Sequence, residues 1–111
     1  MSAITTHVLD TALGRPAAGV DVRLVRVAGG GGEIASSTTG SDGRAGELGP
    51  ATIEPGTYSL VFDTGAYYRA QPGSEPFFPE VTVSFTVRDP TAHYHVPLLL
   101  SPYGYTTYRG S

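Results

Sequence analysis

Val81-Thr82-Val83-Ser84-Phe85-Thr86-Val87 carries an apolar residue at every second position. That period puts Val81, Val83, Phe85 and Val87 on one face of an extended chain and the hydroxyl residues on the other, as in a half-buried strand. Upstream, Tyr58, Leu60 and Phe62 repeat the pattern directly after the turn residues Glu54-Pro55-Gly56. Val20 to Val27 predicts a longer strand with Val20, Val22 and Leu24 inward. Its phase slips at Val25, the mark of a bulge or of burial on both faces. Ser41-Asp42-Gly43 has the residue types of a tight turn. Thr64 to Ala70, closed by Gln71-Pro72-Gly73, is the one helix candidate, about two turns long. The remaining segments bring the total to about eight short strands separated by turns, so the chain reads as all-β, a sandwich or a barrel.

Composition sets the limits. A chain of 111 residues is expected to form a single domain, 1–111, with a modest core. It has no cysteine, which excludes disulfides and thiolate metal sites and allows a reducing compartment. The net charge is −3 with the charges scattered, so the basic footprint of a nucleic-acid binder is missing. No apolar run approaches the ~20 residues of a membrane helix. Met1-Ser2-Ala3-Ile4-Thr5 lacks the basic and apolar regions of a secretory signal. The expectation is a soluble, cytoplasmic protein with neither a nucleic-acid nor a membrane partner. The tract Gly29 to Gly32 lacks the lysine of a phosphate loop and the spacing of a dinucleotide fingerprint, and Ala28 to Gly32 is expected to be a flexible hairpin loop.

Three strands carry an anomaly. In the first, Ile4, Thr6 and Val8 share one face, and Thr5, His7 and Leu9 the other. In the penultimate strand Tyr94, Val96, Leu98 and Leu100 form the core-like face, leaving His95, Pro97 and Leu99 opposite. These two strands each put a histidine and a leucine away from the core, and such leucines call for cover by a ligand or another subunit. Two imidazoles there suit general base and acid work near neutral pH; the alternative is two surface histidines. His93 and His95 form an H-x-H pair on one strand face, but two nitrogens are too few for a closed zinc site, and no metal is expected. Arg44 after its turn is either solvated or a fork for an anionic substrate. The last strand, Tyr103 to Gly110, alternates poorly; its tyrosine-rich end suits an interface strand or an active-site wall equally.

Two longer stretches resemble a known superfamily. His7-Val8-Leu9-Asp10 followed by Gly14-Arg15-Pro16-Ala17 is similar to the first signature of the transthyretin superfamily. Tyr94-His95-Val96-Pro97-Leu98-Leu99-Leu100-Ser101-Pro102-Tyr103-Gly104-Tyr105 resembles the second. The superfamily has a hormone-carrier branch and a branch of transthyretin-related proteins that hydrolyses 5-hydroxyisourate. The hydrolase branch is marked by Tyr-Arg-Gly-Ser, two histidines and an arginine. Here Tyr108-Arg109-Gly110-Ser111, His7, Arg44 and His95 stand at those places.

The resemblance implies a transthyretin-like two-sheet β-sandwich with one short helix. It also implies a homotetramer, a dimer of dimers, with active sites in a central channel faced by His7, Leu9, His95, Pro97 and Leu99. Its substrate would be 5-hydroxyisourate, opened hydrolytically to a ureidoimidazoline in urate degradation, with no cofactor. His7 and His95 would position and deprotonate water, and Arg44 would bind the anionic ring. Ser111, with a terminal carboxylate, would bond substrate or water. Tyr108 and Thr106 would complete the substrate pocket. A carrier on the same fold would lack these histidines and this arginine. A structural β-sandwich module would be a monomer indifferent to loss of Ser111.

Overall fold

The computed structural model describes residues 2–27 and 31–111. Among these residues nine strand segments and one helix run in the order β1 (Ile4–Asp10), β2 (Arg15–Pro16), β3 (Asp21–Arg26), β4 (Gly32–Thr38), β5 (Arg44–Ala45), β6 (Gly56–Phe62), α1 (Thr64–Arg69), β7 (Val81–Val87), β8 (Tyr94–Ser101) and β9 (Gly104–Thr107). They form two sheets, one ordered β2-β1-β8-β9 with β5 also on β1, the other β4-β3-β6-β7. The expected all-β two-sheet sandwich with one short helix is thus what the chain adopts. β2 and β5 are only two residues long, and seven segments are full strands.

The inner faces meet in one core. Ile4, Val8, Leu98 and Leu100 from the first sheet pack with Val22, Leu24, Leu60 and Phe62 from the second, all fully buried. Burying each such side chain stabilises the fold by about 1.5–3 kcal/mol, a gross term offset by chain entropy. The alternation of β7 survives as buried ends and a half-buried middle.

The phase slip read at Val25 is a register shift between Leu24 and Val25. The pairs Leu24–Ala35 and Val25–Glu33 leave Ile34 as the extra residue, so the bulge sits on β4, while β3 stays in register with β6. The expected loop at Ala28 to Gly32 falls mostly on residues 28–30, outside those described; Gly32 already begins β4.

Four local devices fix α1 and the end of β1. Asp63 caps α1 through Ala66 N–H at 3.0 Å, and Thr64 Oγ1 donates to Phe78 O at 2.6 Å. Gly65 donates to Pro79 O at 2.8 Å, and a Cβ there would lie 2.8 Å from the same oxygen, so only glycine fits this approach. Asp10, buried at the end of β1, accepts from Ala12 N–H (3.0 Å), Leu13 N–H (2.9 Å) and Tyr67 Oη–H (2.6 Å). Burial, and then the Asp10 carboxylate, push the Tyr67 phenol up to about 12, so it stays a donor.

Candidate active site

The site is built on the outer face of the first sheet. β1 and β8 run parallel, pairing Thr5 with His95, His7 with Pro97 and Leu9 with Leu99. β5 runs antiparallel to β1 and pairs His7 with Arg44. Paired residues share a face, so Thr5, His7, His95 and Arg44 come together although they span most of the chain. Leu9 and Leu99 sit side by side on this face, each half-buried.

Arg44 owes its place to the turn before it. Gly43 has φ +78°, and a Cβ there would lie 2.4 Å from Val8 O and 3.2 Å from His7 Cδ2. A side chain would be both strained and blocked. Gly43 O accepts from Val8 N–H at 2.8 Å, and Asp42 Oδ1 accepts from Arg44 N–H at 3.0 Å. The predicted Ser41-Asp42-Gly43 turn is therefore the hinge that lays Arg44 beside His7.

His7 Nε2 lies 2.8 Å from Asp42 O. A carbonyl only accepts, so Nε2 carries the proton and a neutral His7 keeps Nδ1 bare. His95 is held differently: its Nδ1 lies 2.8 Å from Thr5 Oγ1, and the same hydroxyl lies 2.9 Å from His93 Nε2. His95 Nε2 makes no hydrogen bond among the described residues. Partial burial, then Arg44, His7 and His93, hold the His95 imidazole below its ordinary titration range, which favours the neutral base.

The Tyr108-Arg109-Gly110-Ser111 segment closes the site. The last strand was expected to run from Tyr103 to Gly110, but β9 ends at Thr107. Arg109 leaves the ladder because its guanidinium lies over the Tyr94 ring, 4.5 Å from the centroid, and donates to His93 O at 3.3 Å. Gly110 then rejoins, donating to His95 O at 2.8 Å. A Cβ on Gly110 would lie 2.7 Å from His95 Cδ2 and 3.2 Å from Pro97 Cγ, so the bare glycine backbone rests on the imidazole. This cover buries Pro97, which had been expected to face an open channel.

An open cleft of 440 Å³ results, lined by Thr5, Arg44, Glu47, His93, His95 and Ser111 among others. His7 is not among its lining residues but is the strand partner of Arg44, which is. Thr106 pairs with Leu99 farther along the same face, and Tyr108, 55% exposed, borders a second cleft of 220 Å³ between the sheets, with Phe85, Tyr94 and Val96. Arg44, His95 and Ser111 thus converge, His7 adjoins them, and Thr106 and Tyr108 stand apart within one subunit. Sequence reasoning passed over Thr5, Glu47 and the contact of Gly110 with His95. Only Thr5 had a signal, its position two residues before His7. Among the described residues no three His, Cys, Asp or Glu side chains are grouped as a metal site would need.

Comparison with known proteins places the chain in a family. The model of the HIUase/Transthyretin family matches residues 4–110. The chain is 52% identical to the 5-hydroxyisourate hydrolase of Mus musculus, over 99% of this chain and 96% of that one. It is 46% identical to that of Deinococcus radiodurans, over 97% and 95%. Among solved structures, Klebsiella pneumoniae 5-hydroxyisourate hydrolase superposes with a TM-score of 0.87 at 37% identity, each chain covered over 100%. Transthyretin from Sparus aurata superposes with 0.90 at 32%, over 99% of this chain and 97% of that one. Hydrolase and transthyretin backbones fit almost equally well, so backbone shape does not choose between them; side chains do. Matched over nearly its whole length, this chain belongs to the HIUase/transthyretin family.

Proposed function

We infer that this chain is an enzyme that hydrolyses 5-hydroxyisourate, opening its six-membered ring to 2-oxo-4-hydroxy-4-carboxy-5-ureidoimidazoline. The observation that carries this reading is the likeness to hydrolases of that name at 46–52% identity over nearly the full chain. It is joined by a cleft where Arg44, His95 and Ser111 converge, with His7 paired to Arg44 on the same sheet face.

In the proposed reaction, water adds to the amide-type ring carbonyl and gives a proton to a base. The ring C–N bond then breaks, the nitrogen takes up a proton, and the carbonyl carbon leaves as a new carboxylate. His95 is the principal base, because its lowered affinity for protons keeps it neutral and its Nε2 is free toward the cleft. A positioned base of this kind is worth about 10²–10⁴ in rate. His7, anchored on Asp42 O, orients the water or returns the proton to nitrogen. Arg44 holds the anionic ring and balances charge growing on the carbonyl oxygen. Ser111 bonds substrate or water. No cofactor enters these steps.

The working unit we propose is a homotetramer of single-domain chains, 1–111, arranged as a dimer of dimers. The half-buried Leu9–Leu99 pair beside the polar site supports it, since apolar surface at a cleft mouth calls for cover. Packing of subunits over this face would also bring Thr106 and Tyr108 within reach of substrate.

The test is turnover of 5-hydroxyisourate made freshly from urate, followed by ultraviolet absorbance against spontaneous decay. Acceleration at catalytic protein concentration is expected, with at least 100-fold loss in His95→Asn and in His7→Asn (about the lower bound for a positioned base). Full activity in both folded variants refutes the assignment of roles. No acceleration by the folded wild type refutes the hydrolase reading. Light scattering is expected to give about four times the 11.6 kDa chain mass, and a monomer refutes the assembly.

A further inference from the structure

Thr5 Oγ1 touches two histidines at once, His95 Nδ1 at 2.8 Å and His93 Nε2 at 2.9 Å. A hydroxyl has a single proton to give. It therefore cannot donate to both rings, although its two lone pairs let it accept from either or both, and its direction toward His95 decides which nitrogen of that ring is bare. If Thr5 donates to His95, the His95 proton sits on Nε2 and points into the cleft. If Thr5 accepts from His95, Nε2 is bare and the Thr5 proton is free to go to His93 Nε2.

Two observations select the second direction. Arg44 lines the same cleft as His95 and is only a donor. A protonated Nε2 beside a guanidinium sets positive against positive, whereas a bare Nε2 presents a lone pair to it. His93 is exposed, so while its Nε2 accepts from Thr5 its Nδ1–H is left to water. His93 is further placed by the contact of Arg109 with its carbonyl oxygen.

We propose that Thr5 and His93 are positioning residues that hold His95 in its Nδ1–H tautomer, keeping Nε2 free to take the proton of the attacking water. Neither residue touches the reacting atoms. The tautomer matters because free imidazole carries its proton mostly on the other nitrogen, and a base in the wrong tautomer is no base. The hydroxyl also anchors the imidazolium formed during the step, since Nδ1–H stays bonded to Thr5 throughout. This proposal rests on the hydrolase reading for its purpose, but the tautomer itself can be read without turnover.

The experiment is long-range ¹H–¹⁵N correlation on ¹⁵N-histidine-labelled full-length protein, paired with steady-state kinetics. In the wild type, His95 is expected to show a protonated Nδ1 and a bare Nε2 at neutral pH. Thr5→Val, nearly the same shape without the hydroxyl, is expected to move His95 mainly to the Nε2–H form. Its kcat should fall at least tenfold with KM changed less than about twofold, less than the ~10² lost with a general base itself, since His95 is still present. Thr5→Ser restores the hydroxyl and is expected to recover both tautomer and kcat. His93→Ala, which removes the acceptor of the Thr5 proton, is expected to move His95 toward the Nε2–H form and to lower kcat at least threefold, and His93→Gln, whose side-chain carbonyl can take that proton, to recover part of both; an unchanged spectrum and kcat in His93→Ala overturns the role of His93.

A wild-type His95 protonated on Nε2 overturns the proposal, as does a Thr5→Val protein with unchanged ring shifts and kcat. Loss of kcat in Thr5→Ser equal to that in Thr5→Val overturns the role of the hydroxyl, since only packing would then distinguish them from the wild type. If Thr5→Val does not fold, the wild-type spectrum and Thr5→Ser decide. The predicted tautomer in a wild type without turnover overturns the hydrolase reading alone.

Discussion

Gly110→Ala adds one methyl group at a point where the backbone lies against the proposed base. The new Cβ would sit 2.7 Å from His95 Cδ2 and 3.2 Å from Pro97 Cγ. Carbon atoms rest at about 3.5–4.0 Å, so the first gap must open by about 1 Å. Gly110 does not have a positive φ, so alanine meets no backbone penalty and the contact is the whole effect. Either the imidazole tilts away, straining the 2.8 Å bond from Nδ1 to Thr5, or the 108–111 segment lifts and carries Ser111 out of the cleft. A misplacement of about 1 Å costs roughly 100-fold in rate, equivalent to about 2.7 kcal/mol of transition-state stabilisation. Global stability should change less, because the collision lies at a half-exposed edge and not in the core. The assay is kcat/KM for 5-hydroxyisourate beside a thermal melt. Gly104→Ala serves as control, since its Cβ meets only Ser101 Oγ at an ordinary 3.6 Å. A folded Gly110→Ala protein within threefold of wild type would refute the idea that the glycine seats His95.

Two further outcomes follow from the electrostatics and the frame. Burial and then Arg44 are the leading causes that lower the His95 pKa, so Arg44→Gln is expected to raise its titration midpoint in NMR. A depressed folded pKa means that the folded state binds fewer protons than the unfolded one. His95 therefore withdraws stability as pH falls from ~6.5 through its folded value, and Arg44→Gln should shrink that acid loss. An unmoved midpoint would remove Arg44 from the electrostatic account. Asp10→Ala strands the N–H groups of Ala12 and Leu13 and the Tyr67 hydroxyl. Ala12 and Leu13 are exposed and their N–H groups can turn to water, so the half-buried Tyr67 hydroxyl carries most of the cost, and a loss of about 1–3 kcal/mol is expected, read as a lower urea midpoint at unchanged slope. A loss under 0.5 kcal/mol (the ordinary range for a surface change) would show that Asp10 does not tie α1 to the first sheet.

The period-two pattern by itself was enough to sort inside from outside. Ile4, Thr6 and Val8 are buried while Thr5, His7 and Leu9 are half-buried, as the alternation of β1 requires. In β8 the same rule holds except at Pro97, which is buried by the Gly110 segment, a contact that no local pattern encodes. The bulge was legible as a slip at Val25, but its place on β4 was not, because register belongs to two strands together. Likewise, Arg109 leaves the last strand where it meets Tyr94, at the start of the neighbouring β8, and His93 just before it.

The site divides along the same line. Its residue types and outward direction were fixed by composition, alternation and the signature stretches, because a strand sends successive side chains to opposite faces whatever it pairs with. Which of those residues meet was decided only in three dimensions. Parallel pairing of β1 with β8 brings Thr5 to His95, a separation of 90 residues along the chain, and the Gly43 turn brings Arg44 to His7. Such contacts depend on the free energy of the whole packed sandwich, where burying both inner faces at once selects one strand order and one register. That selection also decides the chemistry, since a hydroxyl within 3 Å of two imidazoles exists only after the strands have paired.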